Sequence, residues 1–417
     1  MRSCAKYLSA AICLAVGGMA HADWAEPAIS EVSHSVDVSG RVLTVDYTLS
    51  GTNAIVTIDV LTNGVSIGES NLAYFIGDVN RKVGLGARSA QWRVDKGWTG
   101  NLGGDVSVKV TAWPLDDPPD YLAVNLSVPT GLTYYVSADA VPYGVTNDLY
   151  KTEMLLMRRI PAANARFRMG CTVYEQGISG RSTETAHQVT LTNDYYIGVY
   201  ELTQRQLVLM AKSSTAAANC VPQGDTCPAN KYSYNSMRGS TLKWPTDGHD
   251  IDASSTLGKL RNHSGLMFDL PTEAQWEFAA RAGTCFMLQT GKNIASKSDT
   301  DANMLEAAWS LGNSTQVGSA YHPHPVGMKP KNNWGLYDVV GNVWEYCLDR
   351  TNGGGTISAD EVVEPYGPDR TDTYPVRRGG ACNVSYQYNR IASRHWRAPD
   401  KTDSDNGYRL WCPVEQP

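Results

Sequence analysis

Short runs that alternate apolar and polar residues fill the first third of the chain. Val42–Tyr47 alternates in this way, residues 54–60 continue the pattern, and Val106–Val110 repeats it. Glycine- and asparagine-containing segments separate the runs. A period of two predicts strands that bury one face, and several short strands at this spacing are typical of two packed antiparallel sheets. The pattern therefore predicts an all-β sandwich domain over residues 23–135.

The alternation weakens over residues 136–152, where glycine, proline and asparagine predict a linker. The second predicted domain, residues 153–417, contains two clear helix starts. Thr203 and Thr272 each begin a Thr-x-x-Gln sequence, which is the capping box at the start of a helix. Long Gly-, Asn- and Pro-rich segments surround both helices. The sequence thus predicts an α+β protein whose C-terminal domain has little regular secondary structure.

One segment of that domain, residues 333–346, combines two tryptophans, two tyrosines, two glycines and two carboxylates. Bulky rings beside Gly341 predict a tightly packed turn. Asp338 and Glu345 place oxygen ligands on either side of the turn, and Ca²⁺ prefers such ligands. The residues therefore predict a loop that encloses a cation. The alternative is that both carboxylates pair with arginines or cap turns.

Composition excludes several classes of function. Hydrophobic residues make up 42% of the chain and charged residues 19%, which is typical of a globular protein and not of a disordered one. The net charge is -6. We therefore expect no nucleic-acid partner and no broad attraction to anionic lipid.

The first 22 residues have the features of a signal peptide. Arg2 and Lys6 supply positive charge, an apolar run follows, and a small-x-small cleavage sequence ends at Ala22. The apolar run is much shorter than the roughly 20 residues that span a bilayer, and no later segment is long enough. We expect residues 1–22 to be cleaved, the protein to be secreted or periplasmic, and no segment to span a membrane.

Seven cysteines follow the signal peptide, so at least one cannot pair within the chain. In an oxidising compartment, sparse cysteines in a large fold predict stabilising disulfides. Cys220 and Cys227 close a short loop that contains Pro222 and Gly224. We predict a disulfide between them.

Six motifs occur in order in the C-terminal part of the chain: residues 167–170, 196–203, 270–281, 333–346, 378–380 and 407–410. Together they resemble the sulfatase-modifying factor family, whose founding activity is formylglycine generation. The resemblance implies a variant of the C-type lectin fold for residues 153–417. It does not extend to the predicted N-terminal β domain.

The resemblance also implies the ligands of the cation. In formylglycine-generating members the equivalent loop holds a structural calcium ion. Here that ion would lie among the side chains of Asp338 and Glu345 and the carbonyl groups of Gly341 and Val343. A second calcium site of the family would lie near Asn303.

The sequence departs from the family where its chemistry is expected. Formylglycine generators use a pair of thiols five residues apart after the Arg-Gly-Gly motif, because soft thiolates hold Cu(I). Here Cys382 is the single cysteine of the segment, and Gln387 stands five residues beyond it. Cys382 and Trp344 are the candidate catalytic residues, and copper is the cofactor only if the protein is catalytic. One thiol does not make the two-coordinate copper site.

The resemblance suggests two further disulfides. Cys382 and Cys347 both follow motifs that should lie near each other in the fold, so a bond between them is one possibility. Cys285 and Cys412 form a second possible pair, by a looser analogy with a disulfide of the family. Neither pairing follows from the sequence alone.

The segment from Cys382 to Trp396 is rich in Asn, Tyr, Ser, His, Trp and Arg. Rigid amphipathic rings and adaptable hydrogen-bonding groups are typical of binding surfaces, because they give contact area at a low entropic cost. The alternative is that these residues close the core of the fold. The candidate ligand-binding residues are Asn383, Ser385, Tyr386, Tyr388, His395 and Trp396.

Two functions are therefore open. The first is a calcium-stabilised binding protein without catalysis, whose ligand is a peptide, a protein or a glycan. The second is an oxygen-dependent oxidase that converts a substrate cysteine to formylglycine, using Cys382 and a second thiol such as Cys347. A weaker third possibility is a hypervariable receptor with a diversified segment at residues 382–396.

Overall fold

The computed structural model of the chain describes residues 25–39, 41–72, 75–94, 98–100, 105–175, 178, 184–241, 244–245, 247–314, 316–317, 320–351, 362–364 and 374–414. The predicted signal peptide, residues 1–22, lies outside the described residues. No helix in the described ranges is both long enough and apolar enough to cross a membrane.

Two sheets make up the N-terminal part of the fold. Their strands are β1 (Ala28–Asp37), β2 (Val42–Ser50), β3 (Ala54–Thr62), β4 (Val65–Ser66), β5 (Phe75–Gly77), β6 (Arg81–Val83), β7 (Gly86–Arg93) and β8 (Val106–Trp113). The first sheet has the order β1-β2-β7-β5, and the second has the order β4-β3-β6 with β8 paired to β3. Leu43 and Trp92 from the first sheet and Val60 from the second share one buried cluster. The predicted alternation is present in β2, whereas six of the first seven residues of β3 are buried. Apolar side chains of both sheets share this core.

The remaining strands belong to the C-terminal part. They are β9 (Tyr121–Asn125), β10 (Leu132–Tyr135), β11 (Met154–Ile160), β12 (Ala165–Met169), β13 (His187–Leu191), β14 (Tyr195–Gly198), β15 (Gln316–Val317), β16 (Ala320–Tyr321), β17 (Trp344–Thr351), β18 (Val362–Val363), β19 (Tyr374–Arg378), β20 (Arg394–Trp396), β21 (Asn406–Gly407) and β22 (Trp411–Pro413). Their largest sheet has the order β10-β9-β11-β14-β22.

This pairing moves the domain boundary. β9 pairs antiparallel with β11, and β10 pairs with β9, so both strands belong to the C-terminal sheet although they precede residue 136. The boundary predicted at residue 135 thus falls after two strands of this sheet. Four of the five residues of β9 are buried, so the strand lacks the alternation that would have separated it from its neighbours, and only pairing assigns it to a sheet.

Residues 136–152 also differ from the predicted linker. Val141 and Tyr150 are buried in a cluster with Tyr121 and Tyr200 of the C-terminal part. The Tyr150 hydroxyl donates to the Pro142 carbonyl oxygen at 3.0 Å. The segment has little regular structure, as its glycines and prolines predict, but it is packed.

Six α-helices lie in the described part of the chain: α1 (Leu149–Thr152), α2 (Gln204–Ala211), α3 (Tyr234–Arg238), α4 (Thr256–Ser264), α5 (Glu273–Arg281) and α6 (Ala302–Ala307). Two 3-10 helices span Glu69–Leu72 and Val173–Glu175. Both predicted capping boxes are confirmed, because Thr203 and Thr272 each cap the backbone N–H of the glutamine three residues later. The other helices lack this signal.

A small sheet of order β20-β19-β17-β21 places the candidate residues together. The loop at residues 338–343 leads directly into β17, which begins at Trp344. Arg377 of β19 pairs with His395 of β20, and Trp344 pairs with Asn406 of β21. Residues far apart in the sequence thus meet at one end of this sheet.

Candidate functional site

The loop before β17 makes a sharp turn. Asp338, Gly341 and Asn342 have positive φ values of 54°, 83° and 60°. A Cβ on Gly341 would lie 2.3 Å from the Trp309 carbonyl oxygen, so only glycine fits there. The Asn342 N–H donates to that same oxygen at 2.9 Å. The predicted tight turn is therefore present.

Arg409 is the centre of a fully buried group behind this loop. Its Nη2 lies 2.6 Å from Oε1 of Glu345, and its Nε lies 2.9 Å from Oε2. The same Nη2 donates to the Tyr337 carbonyl oxygen at 2.7 Å. Trp276 donates its Nε1–H to Glu345 Oε2 at 2.5 Å. Both oxygens of Glu345 are thus engaged, so the arginine-paired alternative holds for this carboxylate.

Two further carboxylates are buried beside this pair. Glu201 accepts from Nδ2 of Asn342 at 2.6 Å and from the Val343 N–H at 3.1 Å. Asp338 accepts from the Gly327 N–H at 2.6 Å through Oδ2. The other oxygen of Asp338, Oδ1, is buried without a hydrogen-bond partner. An orphaned carboxylate oxygen in the interior is costly and needs an explanation.

The electrostatics of this group favour an added positive charge. Burial raises the pKa of Asp338 to about 6 and raises the pKa of Glu201 well above its usual value, and the neighbouring carboxylates add to both effects. Glu201, Asp338 and Glu345 share one buried guanidinium, that of Arg409. Lys151 and Lys329 also act on Asp338. A bound cation would favour the ionised carboxylates and would use the open oxygen of Asp338.

Three of the five predicted metal residues, Asp338, Gly341 and Val343, lie on this loop, and Glu345 is the second residue of β17. Asn303 lies on α6, where its Nδ2 donates to the Asn293 carbonyl oxygen at 2.8 Å. Asn303 thus belongs to a different element from the other four.

Sequence reasoning missed Glu201 and Arg409 as members of this group. A signal for Glu201 existed, because it is the only charged residue between Tyr195 and Leu202, in a run that is otherwise buried and mostly apolar. Arg409 likewise lies in a buried run at the C-terminus. An isolated charge in a buried segment requires a partner, but the sequence does not say which residue supplies it.

Cys382 and Trp344 are both buried, and each residue is 1% exposed. The Cys382 N–H donates to the Asn342 carbonyl oxygen at 2.9 Å, which places it against the turn. Burial raises the pKa of the Cys382 thiol, and nearby Asp405 and Glu201 raise it further. The thiol therefore stays protonated at neutral pH, whereas the thiolate is the reactive form. This environment is the opposite of that of an activated cysteine.

None of the predicted disulfides is formed. The six cysteines concerned are present as thiols: Cys220, Cys227, Cys285, Cys347, Cys382 and Cys412. Cys285 is exposed whereas Cys412 is buried. Cys220 donates its thiol hydrogen to the Asn230 carbonyl oxygen at 2.9 Å. Spacing and motif order alone do not fix these positions.

Aromatic rings cover the end of the sheet next to Cys382. His395 lies between Trp344, at 5.4 Å between ring centroids, and Trp396, at 5.3 Å. The Tyr388 ring is edge-on to His395 at 6.4 Å. The Arg377 guanidinium lies over the Trp344 ring, 5.0 Å from its centroid. We call the face formed by Tyr388, His395 and Trp396 the aromatic face.

Asn383 borders the aromatic face, but Ser385 and Tyr386 have other contacts. Asn383 is exposed, and its Nδ2 lies 3.4 Å from an oxygen of Asp405. The Tyr386 N–H donates to Asp299 at 2.7 Å, and its side chain packs against a buried apolar cluster. The Ser385 carbonyl oxygen accepts from the Tyr388 N–H at 2.9 Å. The fold thus brings four of the six candidate residues to one surface and uses Ser385 and Tyr386 in the turn and the core.

A second group of metal-ligand side chains consists of Cys171, Glu175 and Glu184. Arg390 forms ion pairs with both glutamates, and its Nη2 lies 3.0 Å from Glu184. The guanidinium already supplies the positive charge that a metal would bring. We therefore interpret this group as a buried ion-pair network.

The sulfatase-modifying factor enzyme 1-like domain model matches residues 157–412 of the chain. That is more than half of its length. The chain belongs to this family. The family assignment from the six motifs is thus confirmed.

The family includes relatives with different named activities. The chain is 35% identical to the formylglycine-generating enzyme of Bos taurus over 146 residues, which are 34% of this chain and 37% of that enzyme. It is 34% identical to the formylglycine-generating enzyme of Thermomonospora curvata over 150 residues, which are 34% of this chain and 48% of that enzyme. It is also 30% identical to inactive C-alpha-formylglycine-generating enzyme 2 of Mus musculus over 154 residues, covering 36% of this chain and 44% of that protein. The chain therefore spans less than half the length of these curated relatives.

Solved structures align with part of the chain as well. PvdO from Pseudomonas aeruginosa aligns with a TM-score of 0.46 and 22% identity, over 62% of this chain and 94% of its own. Treponema denticola variable protein 1 aligns with a TM-score of 0.44 and 24% identity, over 62% of this chain and 95% of its own.

Proposed function

We propose that this chain is an exported, non-catalytic member of the sulfatase-modifying factor family that binds a peptide, protein or glycan ligand at the aromatic face. The single observation that carries the proposal is the state of Cys382. It is the only cysteine of its segment, it is buried, and its surroundings hold the thiol protonated. Next to it lies a partly exposed surface of rings and amides, which is suited to binding.

Copper does not fit this site. A Cu(I) centre of the family's type needs two thiolates, and the segment after Arg378 supplies one thiol, whose ionisation is disfavoured. Copper therefore has no place in the proposed function.

Calcium fits the loop before β17. The support is the open, buried Oδ1 of Asp338 together with the excess of carboxylates over guanidinium in that group. Asp338 and the carbonyl groups of Gly341 and Val343 would hold the ion. Glu345 would complete the cage only by sharing an oxygen that already accepts from Arg409. The ion would neutralise buried charge and fix the loop that carries Trp344.

The location and the fold variant are part of the same proposal. Residues 1–22 would direct export, because their charge, apolar run and cleavage sequence match a signal peptide. The two N-terminal sheets would form a β-sandwich, because side chains of both enter one core. The C-terminal part would be a variant of the C-type lectin fold, as the family resemblance implies.

The test of the non-catalytic function is direct. Purified protein is incubated with a Cys-x-Pro-x-Arg peptide, copper and oxygen, and the peptide mass is measured. We expect no conversion of cysteine to formylglycine. The formylglycine-generating enzyme of Thermomonospora curvata serves as the positive control. Conversion by this protein would refute the proposal.

The alternative is a formylglycine-generating oxidase, favoured by the similarity to formylglycine-generating enzymes. It requires Cys382 to act with a second thiol. Substitution Cys382→Ser would then abolish conversion of the same peptide. On the binding function, C382S has no activity to lose and leaves ligand binding unchanged.

A further inference from the structure

His395 is held in one orientation and one tautomer. Its ring is flanked by Trp344 and Trp396, at 5.4 Å and 5.3 Å between centroids. Its Nδ1 lies 2.9 Å from the Trp396 carbonyl oxygen. A carbonyl oxygen only accepts hydrogen bonds, so Nδ1 carries the proton. The contact from Arg377 Nε to Nδ1, at 3.4 Å, is too long to compete.

The other ring nitrogen is then a hydrogen-bond acceptor. In a neutral imidazole with its proton on Nδ1, Nε2 carries the lone pair. Among the described residues, no side chain or backbone group hydrogen-bonds to this atom, and His395 is half-buried. Burial and the neighbouring Arg377 lower the pKa of His395 below 6.5, which keeps the ring neutral at pH 7. The edge of His395 therefore presents an acceptor to the surface.

Asp405 and Tyr388, which lie near His395, supply a second acceptor and an aromatic ring. Asp405 is half-buried. From the described residues its carboxylate receives only the 3.4 Å contacts of Arg377 and Asn383, so it keeps accepting capacity. Tyr388 is 38% exposed, and its ring stands at 78° to that of His395. A flat apolar face and two acceptors thus lie side by side.

The arginines of this surface have partners. Arg377 bonds to Asn406 and pairs with Asp405, and 8% of its side chain is exposed. Arg397 forms a bidentate pair with Asp403, with Nε and Nη2 each donating to one carboxylate oxygen. An anionic ligand would have to displace one of these carboxylates.

We propose that the aromatic face binds a neutral glycan, with a sugar ring resting on Tyr388 and a hydroxyl group donating to Nε2 of His395. The inference rests on the proposed binding function and narrows it. A sugar presents several hydroxyl donors along one edge and an apolar C–H face, which match the acceptors and the ring. A peptide backbone presents carbonyl acceptors as often as N–H donors, so only half of its polar groups can pair with the two acceptors, Nε2 of His395 and the Asp405 carboxylate.

The experiment uses the full chain and three arrays: neutral oligosaccharides of glucose, mannose, galactose and xylose; sulfated and sialylated oligosaccharides; and random peptides. We expect binding to members of the neutral array. His395→Phe keeps a ring between the tryptophans and removes the acceptor, so affinity for the bound oligosaccharide should fall about tenfold. His34→Phe, on β1 of the N-terminal part, is the matched control and should bind as the native protein does.

Two further readouts separate the acceptor role from a structural one. His395→Gln restores a side-chain acceptor and should recover part of the affinity that H395F loses. Binding should also weaken as the pH falls through the lowered pKa of His395, because protonation turns Nε2 into a donor. The charged and titratable groups facing this ring are Arg377, Arg397, Asp405 and Tyr388.

The outcomes are distinguishable. Binding to the peptide or anionic array alone would overturn the glycan inference and leave the proposed binding function standing. Binding that strengthens on acidification, or that H395F leaves unchanged, would also overturn it. No binding on any array would overturn both proposals.

Discussion

Substitution of Asp338 by asparagine should change stability in opposite directions with and without calcium. The native carboxylate is buried, accepts from the Gly327 N–H at 2.6 Å and leaves Oδ1 without a partner. Asparagine has almost the same shape and keeps one oxygen for Gly327. The exchange therefore removes a negative charge with little change in packing.

The pKa of Asp338 gives the size of the effect. Burial raises this pKa from 3.8 to about 6. A raised acid pKa means that folding favours the protonated form, so ionisation costs stability above the folded pKa, and the cost disappears as the pH falls below the unfolded value. At about 1.4 kcal/mol per pKa unit, that cost is at most about 3 kcal/mol at pH 7.5. Without calcium, D338N should be more stable than the native protein by about 1–3 kcal/mol.

With calcium bound, the native protein should be more stable than D338N. A ligand at a thousandfold excess over its Kd stabilises a protein by about 4.1 kcal/mol, which exceeds the difference of about 1–3 kcal/mol. The native protein should gain this increment from calcium, and D338N should gain little of it. The assay is urea-induced unfolding at pH 7.5, followed by tryptophan fluorescence, with a chelator and then with calcium in excess.

Asp349 supplies the matched control. It is also buried, and burial raises its pKa to about 7, but its Oδ2 accepts from the Glu273 N–H at 2.5 Å, away from the loop. D349N should therefore keep the full calcium increment. Equal calcium increments in D338N and in the native protein would refute the assignment of Asp338 as a ligand. So would the loss of the increment in D349N.

Two further predictions concern buried groups. R409M should lower the free energy of unfolding by about 3–5 kcal/mol, because it leaves Glu345 buried without its cation. R397M, which removes a partly exposed ion pair, should lower it by less than about 1 kcal/mol. Equal losses in urea unfolding would contradict the role of Arg409. Iodoacetamide should label exposed Cys285 in the native protein and leave Cys382 unmodified until the protein unfolds. Peptide mass mapping checks this, and labelling of both cysteines at similar rates would show that Cys382 is accessible.

The sequence predicted the features that depend on near neighbours. The two capping boxes fix the starts of α2 and α5, because a threonine and a glutamine three residues apart are enough to satisfy the first N–H groups of a helix. The alternation in β2 predicted which of its residues are buried. The turn at Gly341 was also predictable, since glycine among bulky rings marks a close approach of chains.

The sequence did not predict features that depend on distant partners. Four of the five residues of β9 are buried, so its pattern fits either an N-terminal or a C-terminal sheet. Its hydrogen bonds to β11 assign it to the C-terminal sheet. The six cysteines of the three predicted disulfides are thiols in the structure. A disulfide depends on the distance between two Cβ atoms, which spacing along the chain does not establish.

The sequence by itself determined the family, the loop at residues 333–346 and the local elements around it, because these depend on motifs and on contacts between near neighbours. Only the tertiary structure decided the partners of the buried charges. Arg409 reaches Glu345 from 64 positions away along the chain, and Glu201 reaches Asn342 from 141 positions away. A buried charge must be paired, but many distant residues have the right chemistry, and only the folded backbone brings one of them within hydrogen-bonding distance.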